Sequence, residues 1–212
     1  MKKLLILEIL VGLLTLIMTI VTMYPFGLFG IRNGGIILVF GIIISGITLL
    51  MVGIFRSANV FSYGTLSLAQ KINVVTSVLV VAMAVAILYF QIVATGNSWL
   101  HFLFGAGLLS YSVGRVIIGA FTREHNLGLR AFNLAIGIAV GVLSVIVILF
   151  PLVLISSISG AQTYIPYGYL TRIALILIGV DYLVSAILGM FLRVQETQVL
   201  DAKSVEFTKH AY

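Results

Sequence analysis

Six uninterrupted apolar runs dominate this chain of 212 residues. Each is close to the length of about 20 residues that a helix needs to cross the hydrocarbon of a bilayer. They are Leu4 to Met23, Gly35 to Phe55, Ile72 to Ala94, Leu100 to Phe121, Phe132 to Ile155 and Ile173 to Leu192. None alternates with the two-residue period of a membrane strand, and the prolines keep to run ends, Pro25 and Pro166 outside any run and Pro151 in the last turn of the fifth, away from the helix middle where a missing backbone N–H costs most. With 61% hydrophobic and 8% charged residues, the chain has far more apolar surface than one water-surrounded core can hide. The fold class expected is therefore an all-α integral membrane protein with six transmembrane helices. The first run follows Met1-Lys2-Lys3 but spans a full bilayer, carries Glu8 and lacks a small-residue cleavage site, so it reads as a retained helix rather than a signal.

Orientation follows from the basic residues. With the N-terminus in the cytoplasm, Lys2, Lys3, Arg56, Lys71, Arg123, Arg130, Arg193, Lys203 and Lys209 lie inside, Arg32 and Arg172 outside, and Arg115 within a span. Both termini are then cytoplasmic. This bias accounts for the net charge of +6 without nucleic acid, since no soluble segment carries a basic cluster interleaved with aromatics. The even-numbered runs share an ending: Gly53-Ile54-Phe55-Arg56, Gly119-Ala120-Phe121-Thr122-Arg123 and Gly189-Met190-Phe191-Leu192-Arg193, spaced 66 and 70 residues apart. The chain reads as three parallel helical-hairpin repeats, 4–55, 72–121 and 132–192, forming one membrane domain over 1–192 with a solvated tail at 193–212. Odd-numbered runs add an echo, Tyr24-Pro25-Phe26 against Phe150-Pro151-Leu152.

Those proline turns, and the glycine-rich helix Gly35-Ile36-Ile37-Leu38-Val39-Phe40-Gly41-Ile42-Ile43-Ile44-Ser45-Gly46, resemble the HdeD-like family of small membrane proteins. The likeness covers Leu10 to Phe55 and Leu134 to Arg193 best. It implies six spans and a role in acid or envelope stress, and it brings no catalytic residues with it.

Small and polar residues recur at helical spacing along most runs. The first carries Glu8, Gly12, Thr15, Thr19 and Thr22; the fourth Gly107, Ser110, Tyr111 and Gly114; the fifth Asn133, Gly137, Gly141 and Ser144; the sixth Asp181, Ser185 and Gly189. Such stripes serve close helix packing in lipid, where apolar area no longer drives association, or else line a hydrated path. Asp181 lies eight residues before its repeat glycine and Arg115 four before its own, so in the repeat frame they are about one turn, roughly 6 Å, apart in depth. An unpaired charge there costs several kcal/mol, which makes an Asp181–Arg115 ion pair the expected arrangement. A proton or ion relay with Glu8 as third acid is the alternative use of the same groups.

The sequence has no cysteine and no phosphate-binding loop, zinc-protease helix or nucleophile elbow. His101, His125 and His210 are isolated, and no metal or cofactor site is expected. Tyr24, Phe26, Phe29, Trp99, Tyr164, Tyr167 and Tyr169 form an outer aromatic belt of the kind that anchors helices at headgroups. The expectation is a non-enzymatic multi-pass protein of the cell membrane, in contact with lipids and with copies of itself or other membrane subunits. It is either structural or accessory, or a small transporter or channel. Reporter fusions at Met1 and Tyr212 are expected to place both ends in the cytoplasm; export of either reporter would invert the charge-based orientation.

Overall fold

The computed structural model describes residues 2–23, 34–61, 68–93, 99–121, 127–150, 152–156 and 162–209. Its helices are α1 (Lys2–Met23), α2 (Gly34–Phe61), α3 (Leu68–Val93), α4 (Leu100–Phe121), α5 (Leu127–Leu149) and α6 (Tyr167–Lys209). All six are long and apolar enough to cross a membrane, so the chain is a multi-pass membrane protein.

The spans sort into two environments. Those of α1, α3 and α5 are each 28% buried within the protein, whereas those of α2, α4 and α6 are 56%, 44% and 50% buried. Odd-numbered helices thus turn most of their surface outward, whereas even-numbered ones bury about half of theirs. Each helix packs on its neighbours in the chain, α1 and α6 close the ring, and α6 also touches α2 and α4 across the interior. The core lies along these inner helices, with Leu49 and Val52 of α2, Phe104, Leu108 and Tyr111 of α4, and Leu175 and Ile178 of α6 almost wholly enclosed.

Glycines set how closely the ring can close. Where α1 crosses α6, a Cβ on Gly12 would lie 3.1 Å from the Gly179 carbonyl oxygen, and one on Gly179 would lie 3.2 Å from that of Gly12. Leu183 and Leu16 fill the flanks of the crossing. Any side chain at either glycine would push the backbones apart and reduce dispersion contact, the main attraction available between helices in lipid. The α4–α5 pair uses the same device along its length: a Cβ on Gly105 would meet the Ser144 carbonyl at 3.0 Å, and one on Gly137 the Val116 amide nitrogen at 2.9 Å.

Several helix boundaries differ from the sequence expectation. The fifth span was expected to run to Ile155, but α5 stops at Leu149 and Leu152–Ser156 forms β1, antiparallel to β2 (Gln162–Pro166). Pro151 cannot donate the helical hydrogen bond and disfavours helix at the residue before it, and a short apolar β-branched run suits a strand as well as a helix. The sixth helix starts at Tyr167, immediately after Pro166, rather than at Ile173. Arg172, assigned from sequence to an outer loop, is instead inside the Gly168–Leu188 span and only 4% exposed. The space that admits its guanidinium is the missing side chain of Gly41, and Cζ lies 5.6 Å from the Tyr169 ring centroid. Two segments read as non-membrane also belong to helices: Leu68–Gln70 open α3, and α6 runs through the expected tail to Lys209. Calls on the turn at Tyr24-Pro25-Phe26, on Phe29, and on His125 and His210 lie outside the described residues.

Replacing Gly12 or Gly179 by leucine should open the α1–α6 crossing and destabilise the protein by about 1–3 kcal/mol, the usual cost of overpacking. Gly128, with nothing within 4 Å of an added Cβ, is the control: alanine there should be neutral or slightly stabilising. Thermal unfolding in detergent reads both, and equal effects at Gly12 and Gly128 would refute the close-crossing account.

Candidate functional site: a buried charged cluster

Asp181 is fully buried in α6, and its carboxylate is shared among three partners. Arg115 of α4 brings Nε to 2.5 Å from Oδ2, the Tyr111 hydroxyl donates to the same oxygen, and Ser185 Oγ lies 3.4 Å from Oδ1. Helical periodicity explains both local pairs. Arg115 follows Tyr111 by four residues and Ser185 follows Asp181 by four, so each pair shares a helix face.

The Arg115 guanidinium makes further contacts. Its Nε lies 3.2 Å from the Tyr111 hydroxyl and Nη1 donates to Asn133 Oδ1 of α5 at 3.3 Å. Its Cζ sits 5.7 Å from the Tyr111 ring centroid and 5.6 Å from that of Tyr182. Tyr182 in turn reaches α2, its hydroxyl donating to the Val52 carbonyl at 3.4 Å and its ring packing edge-on against Phe55 at 5.6 Å. The low dielectric that makes an isolated charge costly is what makes this satisfied network strong.

A second guanidinium joins from α2. Arg56 is 5% exposed, and its Cζ lies 4.8 Å from the Tyr111 ring centroid. Nε donates to Asn73 Oδ1 of α3, and Nη1 to the Tyr111 carbonyl at 3.1 Å. Tyr111 is therefore the hub: its ring faces two cations, its carbonyl accepts from one and its hydroxyl bridges the other to Asp181. The sequence reading put Arg56 among the cytoplasmic charges and did not single out Tyr182 or Asn73.

The other expected positions separate by role. Ser112 Oγ donates across to the Gly137 carbonyl at 2.6 Å, and the same hydroxyl occupies the space where a Gly141 side chain would be. Gly107 receives Leu49 of α2, and Gly114 receives the Arg56 guanidinium. Most buried hydroxyls are spent within their own helices: Thr19 on the Thr15 carbonyl at 2.6 Å, Thr22 on that of Thr19 at 2.7 Å, Ser45 on that of Gly41 at 2.7 Å. Gly189 lies in α6, outside the residues whose surroundings the structure describes. Glu8 is half-buried on α1 and is felt electrostatically at Tyr182, but it is not among the groups that bond Asp181.

Two further features lie apart from the cluster. A cavity of about 10 Å³, room for a single water, is lined by Gly41, Ile42 and Ser45 of α2, Phe104 of α4, and Gly168, Thr171 and Arg172 of α6. Trp99 is exposed and packs edge-on against Phe102 at 6.3 Å, as an interfacial anchor would. Among the described residues no three His, Cys, Asp or Glu side chains gather in a way that could hold a metal ion.

No protein-family model, no curated protein and no solved structure matches this chain.

Neutralising one partner of the pair, by Asp181→Asn or Arg115→Gln, should cost about 3–5 kcal/mol because the other charge stays buried. Tyr111→Phe should cost about 1–3 kcal/mol by leaving acceptor capacity unfilled. In a double-mutant cycle measured by unfolding, Asp181→Asn and Arg115→Gln should be strongly non-additive, whereas additive losses would mean that the pair does not act as a unit.

Proposed function

We propose that this chain is a structural or accessory protein of the cell membrane, without enzymatic activity, built from three hairpin repeats. Its role would be either in envelope or acid stress, as the HdeD-like resemblance implies, or as a small subunit packed into a larger membrane assembly. The observation that carries this reading is how the polar core spends its capacity. Asp181, Arg115, Tyr111, Asn133 and Ser185 bond one another, and they tie α4, α5 and α6 together. A cluster arranged in this way fixes helix register.

The repeat is supported by the alternation of burial between odd and even helices. It is also supported by a contact. Counting eight residues back from the repeat glycines gives Ser45, Tyr111 and Asp181, and two of these matched positions, Tyr111 and Asp181, hydrogen-bond directly. Matched residues meet in this way when equivalent helices surround a common axis. The same alternation leaves the outward faces of α1, α3 and α5 to lipid or to further subunits, with Ile6, Val75, Val78, Ile92 and Ile138 more than half exposed.

One observation favours transport as a second reading: ionisable groups at mid-span mark ion or proton paths in many membrane proteins, and Asp181 and Arg115 sit there. Gentle purification from the native membrane separates the two. Co-migration with partners at fixed stoichiometry is the expected result. Reconstitution of the chain alone, with pH-driven flux that Asp181→Asn abolishes, would replace the accessory reading with the transporter.

A further inference from the structure

The connection between α5 and α6 is long for a link between two membrane spans, and it is uncharged. From Ala131 to Thr171 there is no lysine, arginine, aspartate or glutamate, so the segment that leaves one span at Leu149 and enters the next at Gly168 carries no charge. Within it β1 and β2 pair over Leu152–Ser156 and Gln162–Pro166, and among the described residues the sheet holds these two strands alone.

A hairpin of this composition does not suit water. Two isolated strands are at best marginally stable there, and exposed apolar strand edges are normally blunted by charge, which this segment lacks. Nor does it suit the hydrocarbon, where each outer edge would leave a row of backbone N–H and C=O groups without partners. The helix bundle does not take it up: outside its own ladder, the hairpin's main contact among the described residues is with the start of α6, into which β2 runs. What lies beside it is the bilayer surface. β1 begins at Leu152, just past the end of α5, so the base of the hairpin is fixed at headgroup level. Leu149 and Phe150, which lead into β1, are 62% and 57% exposed and carry the lipid-facing surface of α5 up to the hairpin.

We propose that the β1–β2 hairpin lies flat in the interfacial layer of the bilayer and docks on lipid, with the face bearing Val153, Ile155 and Ile165 toward the acyl chains. The register sets these three and Thr163 on one face, and Leu154, Ser156, Gln162 and Tyr164 on the other. The first face carries a single hydroxyl, whereas the second carries an amide, a hydroxyl and a phenol, groups that headgroups and water satisfy. Length decides between flat and upright. A strand of five residues extends about 17 Å, but the interfacial layer is only about 5–8 Å deep on each side, so an upright hairpin would carry Ile155 into water. Lying flat keeps the whole ladder at a depth where its edges reach water and one face reaches lipid. The inference holds for either orientation of the chain and does not depend on whether the chain is an accessory subunit.

The chain has no cysteine, so single cysteines can be labelled with the environment-sensitive fluorophore nitrobenzoxadiazole. Val153→Cys, Leu154→Cys and Ile155→Cys are read in nanodiscs of phosphatidylcholine brominated either near the glycerol or near the chain ends. Ile138→Cys, mid-span on α5 and 51% exposed, is the deep reference. Labels at positions 153 and 155 should both emit to the blue of a label in water and be quenched more by the shallow bromines than by the deep ones. The label at 154 should be quenched less than either, and at 138 the order of shallow and deep should reverse. The proposal fails if the label at 155 emits as in water, which means an upright hairpin, or if the labels are blue-shifted but no bromine quenches them, which means that protein covers the hairpin. It fails equally if the deep bromines quench most at 153 and 155, or if 154 is quenched as strongly as its neighbours. Should a cysteine variant not fold, phosphatidylcholine with a photoreactive diazirine near the glycerol decides on the wild-type chain: cross-links within both β1 and β2 support the interfacial hairpin, and cross-links confined to the helices overturn it.

Discussion

Inside hydrocarbon an ionised side chain has to meet its counter-charge or stay out, and the interior of this protein is arranged around that demand. Arg115 and Asp181 meet at 2.5 Å, from helices that the chain separates by α5. Their contact holds α4 against α6 at one depth and one rotation, because both partners are short of alternatives there. Tyr111 extends the constraint to α2 through Arg56, and Asn73 and Asn133 extend it to α3 and α5. Five of the six helices are thus tied to one polar centre, and directional bonds specify a register that apolar packing alone would leave degenerate.

The sixth tie is steric. α1 is joined to the ring chiefly at α6, where Gly12 and Gly179 let two backbones approach to contact. Lipid tails are as apolar as leucine, so a helix gains little by exchanging them for another helix unless the fit is closer than lipid can achieve. Bare glycine surfaces provide that fit, and they do so again between α4 and α5. Glycine and charge cooperate at Gly114 and Gly41, where the absent side chain is the room that a guanidinium occupies.

The membrane class and the six spans were legible because hydropathy over 20 residues is a one-dimensional property, fixed by the bilayer rather than by neighbours. The stripe carrying Gly137, Gly141 and Ser144 could be seen for the same reason, since helical spacing depends only on local geometry. Arg56 and Arg172 were not legible as core residues. Both sit within a few residues of a span end, where a basic side chain ordinarily reaches out to headgroups. What keeps them inside is a glycine on a different helix, Gly114 or Gly41, at a distance in sequence that no local pattern reports. The end of α5 was misjudged for a related reason: Leu152 to Ile155 is apolar enough to prolong a span, and its pairing with β2 supplies the alternative.

What the sequence by itself determined is how many helices cross the membrane and which of their faces carry small and polar residues. Those follow from composition and period alone. Only the tertiary structure decided which charges lie in the core, that Tyr111 stands between two arginines and one aspartate, and that the even-numbered helices form the inside. Those outcomes depend on which helix faces which, and a buried charge is settled by the groups that surround it in space rather than by its neighbours along the chain.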